Sequence, residues 1–220
     1  MAWSHYDLVR SPWLSRQPAS VAEALLDAGR VQRLEAGQWV YGEGDPDAGL
    51  FAVISGRLSV EAAAGPERTV LIDILHKGAW LGQSAETGGP RLVTVRARSA
   101  ATLFLIPDAM LKRAGHNRPD VWQAVSNLVY GQLQNAVRMV ARLLTASPAE
   151  LIALRLLTLA EGQPPFVAVS QSELGELTGM TRKAANAHLA LLEEQGLVKR
   201  AYGKVLLLDV ERLRGMAGAE

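Results

Sequence analysis

From Val31 to Ile106 the apolar residues come in short strand-like runs, and beyond that they recur every three or four positions. The runs include QWVY, LFAVISG, RLSVEAA, TVLIDIL, LVTVRARS and ATLFLI, separated by the Gly, Pro and Asp punctuation of EGDPDAG, AGPER and ETGGPR. This pattern predicts an antiparallel sandwich or barrel, here a β-roll. Ahead of it, Ser20 to Gly29 reads as a short helix. Ser20 and Glu23 have the capping-box spacing, Val21, Ala24, Leu25 and Ala28 share a face, and Gly29 suits a left-handed C-terminal position.

Pro107 ends the last strand, and Pro119 with Asp120 opens the longest helical pattern, Val121 to Thr145. Within it Val125, Val129, Gln132, Ala136, Met139 and Leu143 step by four and three, the seam of a coiled coil between two copies of the chain. TASPAE, Thr145 to Glu150, is a predicted hinge with Ser147 as a helix cap, and AELIALRLLTLAEG is an amphipathic helix. In the closing stretch GLVKRAYGKVLLLDV, Leu197 to Ala201 and Val205 to Val210 pair across a turn of Tyr202, Gly203 and Lys204. The expected fold is α+β: a β-roll over 1–118, a long dimerisation helix and hinge over 119–146, and a winged helix-turn-helix over 147–220.

Between the amphipathic helix and the hairpin, SQSELGELTGMTRKAANAHLALLEEQGLVKR holds two helical patterns separated by Gly179 and Met180. Ser170 and Glu173 form a second capping-box spacing, Leu174 and Leu177 point inward, and Thr181 caps the next helix. That helix is expected to bury Ala184, Ala185, Leu189, Leu191 and Leu192, leaving Thr181, Arg182, Lys183, Asn186 and Ala187 near its exposed beginning. In a helix-turn-helix these first turns enter the major groove of double-stranded DNA, where basic and amide side chains reach base edges. Lys199, Arg200 and Lys204 in the hairpin are positioned to meet the phosphate backbone.

The net charge is only +1, so a DNA contact has to come from such a local patch and not from a generally basic surface. The absence of cysteine removes disulfides, thiolate zinc sites, a cysteine-ligated iron–sulfur cluster and thiol redox sensing. No apolar run approaches the roughly 20 residues that cross a bilayer, and MAWSHYDLVR lacks the layout of a secretory signal, which gives a cytoplasmic expectation.

Taken in order, GQWVYGEGDPDAGLFAVISGRLSV, the glycines of HKGAWLGQ, RLVTVRA, the long central helix and MTRKAANAHLALLEEQGLV resemble the bacterial transcription regulators typified by the cyclic-AMP receptor protein and the fumarate and nitrate reduction regulator. The resemblance implies a homodimer on a roughly palindromic operator, an effector in a cyclic-nucleotide-binding-like roll, and RNA polymerase as a partner. Arg182 matches a family position that contacts a base, while Lys183 stands where the cyclic-AMP receptor has glutamate and Ala187 where it has arginine. A glutamate accepts from cytosine and a lysine only donates, so a different base preference is expected.

By the same resemblance, GAWLGQSAETGGPRLVTVRA corresponds to a phosphate-binding cassette in which helix N-terminal N–H groups and one arginine hold the cyclic phosphate. Arg91 matches that arginine beside Gly82, but Gln83 replaces a ribose-binding glutamate and Leu92 a phosphate-binding serine or threonine. Gln134 and Asn135 on the long helix are further effector candidates. With two polar anchors changed, cyclic AMP is not expected to be a tight ligand. His5, His76, His116 and His188 are too scattered for a metal site, and His76 alone could serve as an axial haem ligand. Two rival functions are a nucleotide-sensing module acting on a protein partner, which the helix-turn-helix argues against, and a cupin-type enzyme, which lacks the inward ligands it would need.

Overall fold

The computed structural model describes residues 8–46, 49–83, 89–161 and 166–218. They form two compact units, one holding 1–69 and 73–135, the other 70–72 and 136–220.

In the first unit, eight strands form two antiparallel four-stranded sheets. One has the order β1 (Arg30–Leu34), β8 (Ala101–Pro107), β3 (Gly49–Ser55), β6 (Trp80–Gln83). The other runs β2 (Trp39–Tyr41), β7 (Thr94–Ala97), β4 (Leu58–Ala63), β5 (Thr69–Leu75). Strand alternation splits β3 and β8 between two cores. Phe51, Val53 and Leu103 meet Tyr41, Leu58 and Val95 between the sheets. Leu50, Ala52, Ile54, Phe104 and Ile106 face the other way, against α1 (Ala19–Asp27), α2 (Asp108–Asn117) and the start of α3 (Asp120–Thr145).

Two expectations for α1 are corrected. The helix begins at Ala19 with Pro18 as its N-cap, and no side chain caps it, so Ser20 is not the capping residue. Pro18 supplies the turn into the helix by its fixed φ, which leaves Ser20 already inside the first turn. Gly29 is not left-handed either, since α1 ends at Asp27 with Ala28 as its C-cap. Its requirement is space: a Cβ there would lie 2.2 Å from the Phe104 ring.

The helix α3 has two working faces. Val121, Ala124, Val125 and Leu128 are buried on their own unit, and Gln132 Nε2 donates to the Trp80 carbonyl at 3.1 Å. Trp80 is held in turn by its ring N–H, which donates to buried Ser11 Oγ at 2.8 Å, and by edge contact with Trp13 at 4.7 Å between centroids. The predicted seam thus begins on the helix's attachment face, and the exposed apolar stripe lies elsewhere. Tyr130, Leu133, Val137, Val140 and Leu144 are 56% exposed or more, with the same three-and-four spacing, each one residue past a predicted position and so about 100° further round the helix, while Leu143 of the predicted seam is itself 46% exposed.

The second unit contains α4 (Pro148–Ala160), β9 (Phe166–Val167), α5 (Gln171–Thr178), α6 (Arg182–Glu194), β10 (Val198–Ala201), β11 (Lys204–Leu207) and α7 (Val210–Ala217). Ser147 caps α4 in a complete capping box with Glu150. The hairpin is tighter than expected, with Ala201 paired to Lys204 across Tyr202 and Gly203, and β9 adds a third strand beside β11. No helix among the described residues is long and apolar enough to cross a membrane.

Candidate nucleic-acid interface and effector cavity

The pair α5 and α6 is set by local chemistry. Ser170 Oγ accepts from Glu173 N at 3.2 Å, and Ser170 N donates to a Glu173 carboxylate oxygen at 2.7 Å, closing a capping box. Gly179 ends α5 in the left-handed conformation, and Met180 N donates to the Gly175 carbonyl at 2.7 Å. Gly175 lets the turn fold back this closely, because a Cβ would stand 2.8 Å from the Met180 oxygen. The guanidinium of buried Arg155 from α4 completes the corner, its Nε donating to the Leu177 carbonyl at 3.1 Å.

Thr181 Oγ1 accepts from Ala184 N at 3.1 Å and so caps α6. Ala185, Leu189 and Leu192 are the residues it buries. Leu191 is 49% exposed and Ala184 only half-buried, which corrects the expected burial of both; seven residues apart, they lie together on one flank of the inward stripe. Arg182, Lys183 and Ala187 are exposed at the helix opening, and Asn186 is half-buried beside them. An open cleft of about 380 Å³ runs between this opening and the wing, lined by Ser170, Gln171, Arg182, Arg200, Tyr202 and Lys204. Lys199 and Lys204 are exposed on the hairpin, and Tyr202 at its tip is fully exposed.

Arg200 differs from its neighbours in having committed partners. Its Nε donates to Glu193 Oε2 at 2.6 Å, its backbone N to Glu193 Oε1 at 2.7 Å, and its Nη1 to Asn186 Oδ1 at 3.1 Å. These bonds, from the backbone N–H and then the side chain, hold the Glu193 carboxyl below the usual carboxylate range. Sequence reasoning missed this three-residue lock, as nothing in the pattern aims a helix carboxylate at a strand seven residues on.

In the roll, Arg91 is 4% exposed. Its Nη2 donates to the Gly49 carbonyl at 3.2 Å, and its guanidinium carbon lies 4.2 Å from the Tyr41 ring centroid and 5.7 Å from that of Phe51. Gly82, at φ 98°, admits this arrangement, since a Cβ would be 2.3 Å from the Gly49 oxygen and 3.1 Å from Arg91 Nη1. A cavity of about 760 Å³ opens beside Arg91, lined also by Arg30, Gln32, Tyr41, Asp45 and Phe51. Leu92 is 78% exposed, and Gln134 and Asn135 are exposed on α3 and do not line this cavity. The Gln83 side chain and residues 84–88, the middle of the expected cassette, lie outside the described residues.

Two family models match the chain: a cyclic nucleotide-binding domain over residues 31–116 and a Crp-like helix-turn-helix domain over residues 150–216. The chain is 24% identical over 176 residues to the cAMP-activated global transcriptional regulator CRP of Salmonella typhimurium, covering 76% of this chain and 83% of that one. Its fold is similar to FixK2 from Bradyrhizobium japonicum, with a TM-score of 0.79 and 18% identity over 87% of this chain and 98% of that one. It is also similar to CLP of Xanthomonas campestris, described as a c-di-GMP responsive global regulator, with a TM-score of 0.65 and 24% identity over 86% and 99% of the two chains.

Burial, partly offset by the nearby Arg91 charge, pushes the Tyr41 phenol from 10.0 up to about 12. A pKa raised on folding leaves the contribution intact below pH 10.0 and removes it as pH rises toward about 12. Absorbance titration at 295 nm should therefore show one tyrosinate step near pH 12, accompanied by loss of roll structure and absent from Tyr41→Phe. A Tyr41→Phe trace identical to the parent's would show that Tyr41 is not the late phenol.

Proposed function

The chain belongs to the family of the cyclic-AMP receptor protein and the fumarate and nitrate reduction regulator, sequence-specific DNA-binding transcription regulators, and from that premise we propose that it works as a homodimer with a sensory roll. The observation that carries the reading is the capped opening of α6, which exposes Arg182 and Lys183 beside a wing bearing Lys199 and Lys204. In this proposal Arg182 and Lys183 read base edges in the major groove, Thr181, Lys199 and Lys204 hold phosphates, and Asn186 and Ala187 flank the reading face. The units serve as sensor over 1–118, dimerisation helix over 119–146 and DNA-binding module over 147–220. The protein acts in the cytoplasm on a roughly palindromic operator, communicates with RNA polymerase and performs no catalysis.

The dimer reading rests on α3. Tyr130 to Leu144 carries six exposed large apolar side chains along about 21 Å of helix, and a matching stripe from a second copy would remove them from water. Burial of a large apolar side chain is worth roughly 1.5 to 3 kcal/mol.

For the effector, the neutral Gln83 and the solvent-facing Leu92 support a roll that does not hold cyclic AMP tightly. That one similar regulator is cAMP-activated and another c-di-GMP responsive fits a roll fold whose ligand varies. Gly82, Gln83 and Arg91 stay candidates for a different small molecule, with Gln134 and Asn135 on the long helix.

Three outcomes check this reading. Arg182→Ala should weaken specific operator binding by about 1 to 3 kcal/mol and relax one position in each half-site, whereas Lys199→Ala or Lys204→Ala should lower affinity nearly uniformly and flatten its salt dependence. Identical sequence preference in Arg182→Ala and the parent would remove the base-reading role. Leu133→Glu with Val140→Glu should give monomer by sedimentation, because ions in an apolar seam are costly to desolvate; a dimer of native stability would move the interface. Calorimetric titration with cyclic AMP should show binding at least about tenfold weaker than an intact phosphate site gives. Low-micromolar cyclic-AMP binding that tightens operator binding and is lost in Arg91→Ala would overturn the effector reading.

A further inference from the structure

The edge strand β1 turns polar side chains toward the inside of the roll. It is the outer strand of its sheet, paired with β8 alone. Alternate residues of a strand share a face, and Leu34 belongs to the core between the sheets, so Gln32 and Arg30 face the same way. The register agrees: Arg30 lies opposite Leu105, and Leu105 opposite Phe51, which is packed in that core. Gln32 is half-buried, and among the described residues neither it nor Arg30 has a side-chain hydrogen bond or ion pair. Inward polar groups without partners are destabilising, so two of them in succession at this end of β1 point to a ligand.

What they face is the cavity of about 760 Å³, to which Phe51, Leu105 and Val40 give an apolar lining. Of the cassette sequence, residues 78–97, only Arg91 lines it among the described residues. Asp45, in the loop between β2 and β3, stands on another wall. Two backbone bonds hold that loop to the strand end: Arg91 N donates to the Asp45 carbonyl at 3.0 Å, and Gly44 N to the Arg91 carbonyl at 2.8 Å. Asp45 Oδ2 accepts from Gly42 N at 2.7 Å, while its Oδ1 has no partner and its carboxylate no ion pair among the described residues. Asp108, also on the wall, is by contrast paired with Lys112 at 3.2 Å. The cavity thus has a cation and an amide on one side, a carboxylate on another, and apolar surface between.

Charge and size together select the ligand class. A cyclic nucleotide brings an anion for Arg30 but no cation for Asp45. A free amino acid carries both charges on one carbon, too close together to serve two walls of a cavity in the upper part of the roughly 300 to 1,000 Å³ range of small-molecule sites. An extended chain advances roughly 3.3 to 3.6 Å per residue, so two or three residues separate their end charges by about 7 to 10 Å. We propose that this mouth of the roll, between β1 and the loop after β2, binds a short zwitterionic peptide of two or three residues with apolar side chains. Its C-terminal carboxylate meets the Arg30 fork and the Gln32 amide, its N-terminal ammonium meets Asp45 Oδ1, and its side chains cover Phe51, Leu105 and Val40.

The site deepens the sensory-roll reading, on which its regulatory meaning rests, and binding is therefore measured apart from operator affinity. Full-length protein is titrated calorimetrically with leucyl-leucine, leucyl-phenylalanine and trileucine, each with free ends, N-acetylated, or amidated at the C-terminus. At least one free peptide should bind, and blocking either end should weaken it by at least about tenfold, the loss of one bond to a charged group. Asp45→Asn, which keeps an acceptor for Gly42 N, should bind free and acetylated peptide alike, and Arg30→Ala should bind free and amidated peptide alike. Melting curves identify a variant that does not fold, in which case the blocked peptides on the parent decide. Failure of all three free peptides to bind, blocked peptides binding as well as free ones, or folded variants that still discriminate in full would each overturn the site. Operator affinity with and without peptide completes the measurement. Peptide binding that leaves operator affinity unchanged would uphold the site and overturn the sensory reading, whereas absent binding beside intact operator recognition would remove the site alone.

Discussion

A guanidinium taken out of water costs several kcal/mol unless carbonyls, carboxylates or aromatic faces surround it. Each unit of this protein is arranged around one such group. Arg91 joins the Gly49 carbonyl at the start of β3 to the face of Tyr41, tying the two sheets of the roll together. Arg155 joins α4 to the last turn of α5, where carbonyls left without helical partners need a donor. Both arginines are fitted by glycines that yield their Cβ volume nearby: Gly82 against Arg91, and Gly175 in the turn that Arg155 supports. Arg91 in the roll and Arg155 at the helix-turn-helix corner thus share one feature, a buried guanidinium that donates to a backbone carbonyl.

The consequences for the two units differ. In the roll, Arg91 is held by the Gly49 carbonyl through one nitrogen and by the Tyr41 ring against its face. A cavity of about 760 Å³ opens beside it. In the helix-turn-helix, no ion pair among the described residues engages the exposed cations at the opening of α6, and Glu193 is drawn to Arg200. Surface charge is thereby sorted: cations exposed at the opening of α6, Glu193 held to the side.

Strand runs and their punctuation were legible, because period-two alternation survives in β3 and β8, each of which serves two cores. The caps at Ser147, Ser170 and Thr181 were legible for a similar reason, being local hydrogen bonds within a few residues. Ser20 misled because a capping-box spacing also occurs one residue inside a helix that Pro18 has already begun. On α3 the exposed apolar stripe falls mainly one residue past the predicted seam because the helix carries two apolar faces, and spacing alone does not say which is taken by the roll. The two-residue strand Phe166–Val167 was too short to carry any alternation. The Arg200 lock and the commitment of Arg91 are contacts between distant elements and left no trace in periodicity. Of the candidate site, the positions of the basic residues at the opening of α6 and on the hairpin could be read, but the partners that decide which of them are available could not.

The two-residue turn at Tyr202 and Gly203 has a practical side. The chain has no cysteine, so Tyr202→Cys would introduce a single thiol at the outermost point of the wing. That side chain packs against nothing, so a dye attached there would leave the core undisturbed and would sit at the rim of the cleft beside Arg182. The hairpin apex thus doubles as an attachment point from which the wing's approach to a duplex can be followed in real time by fluorescence.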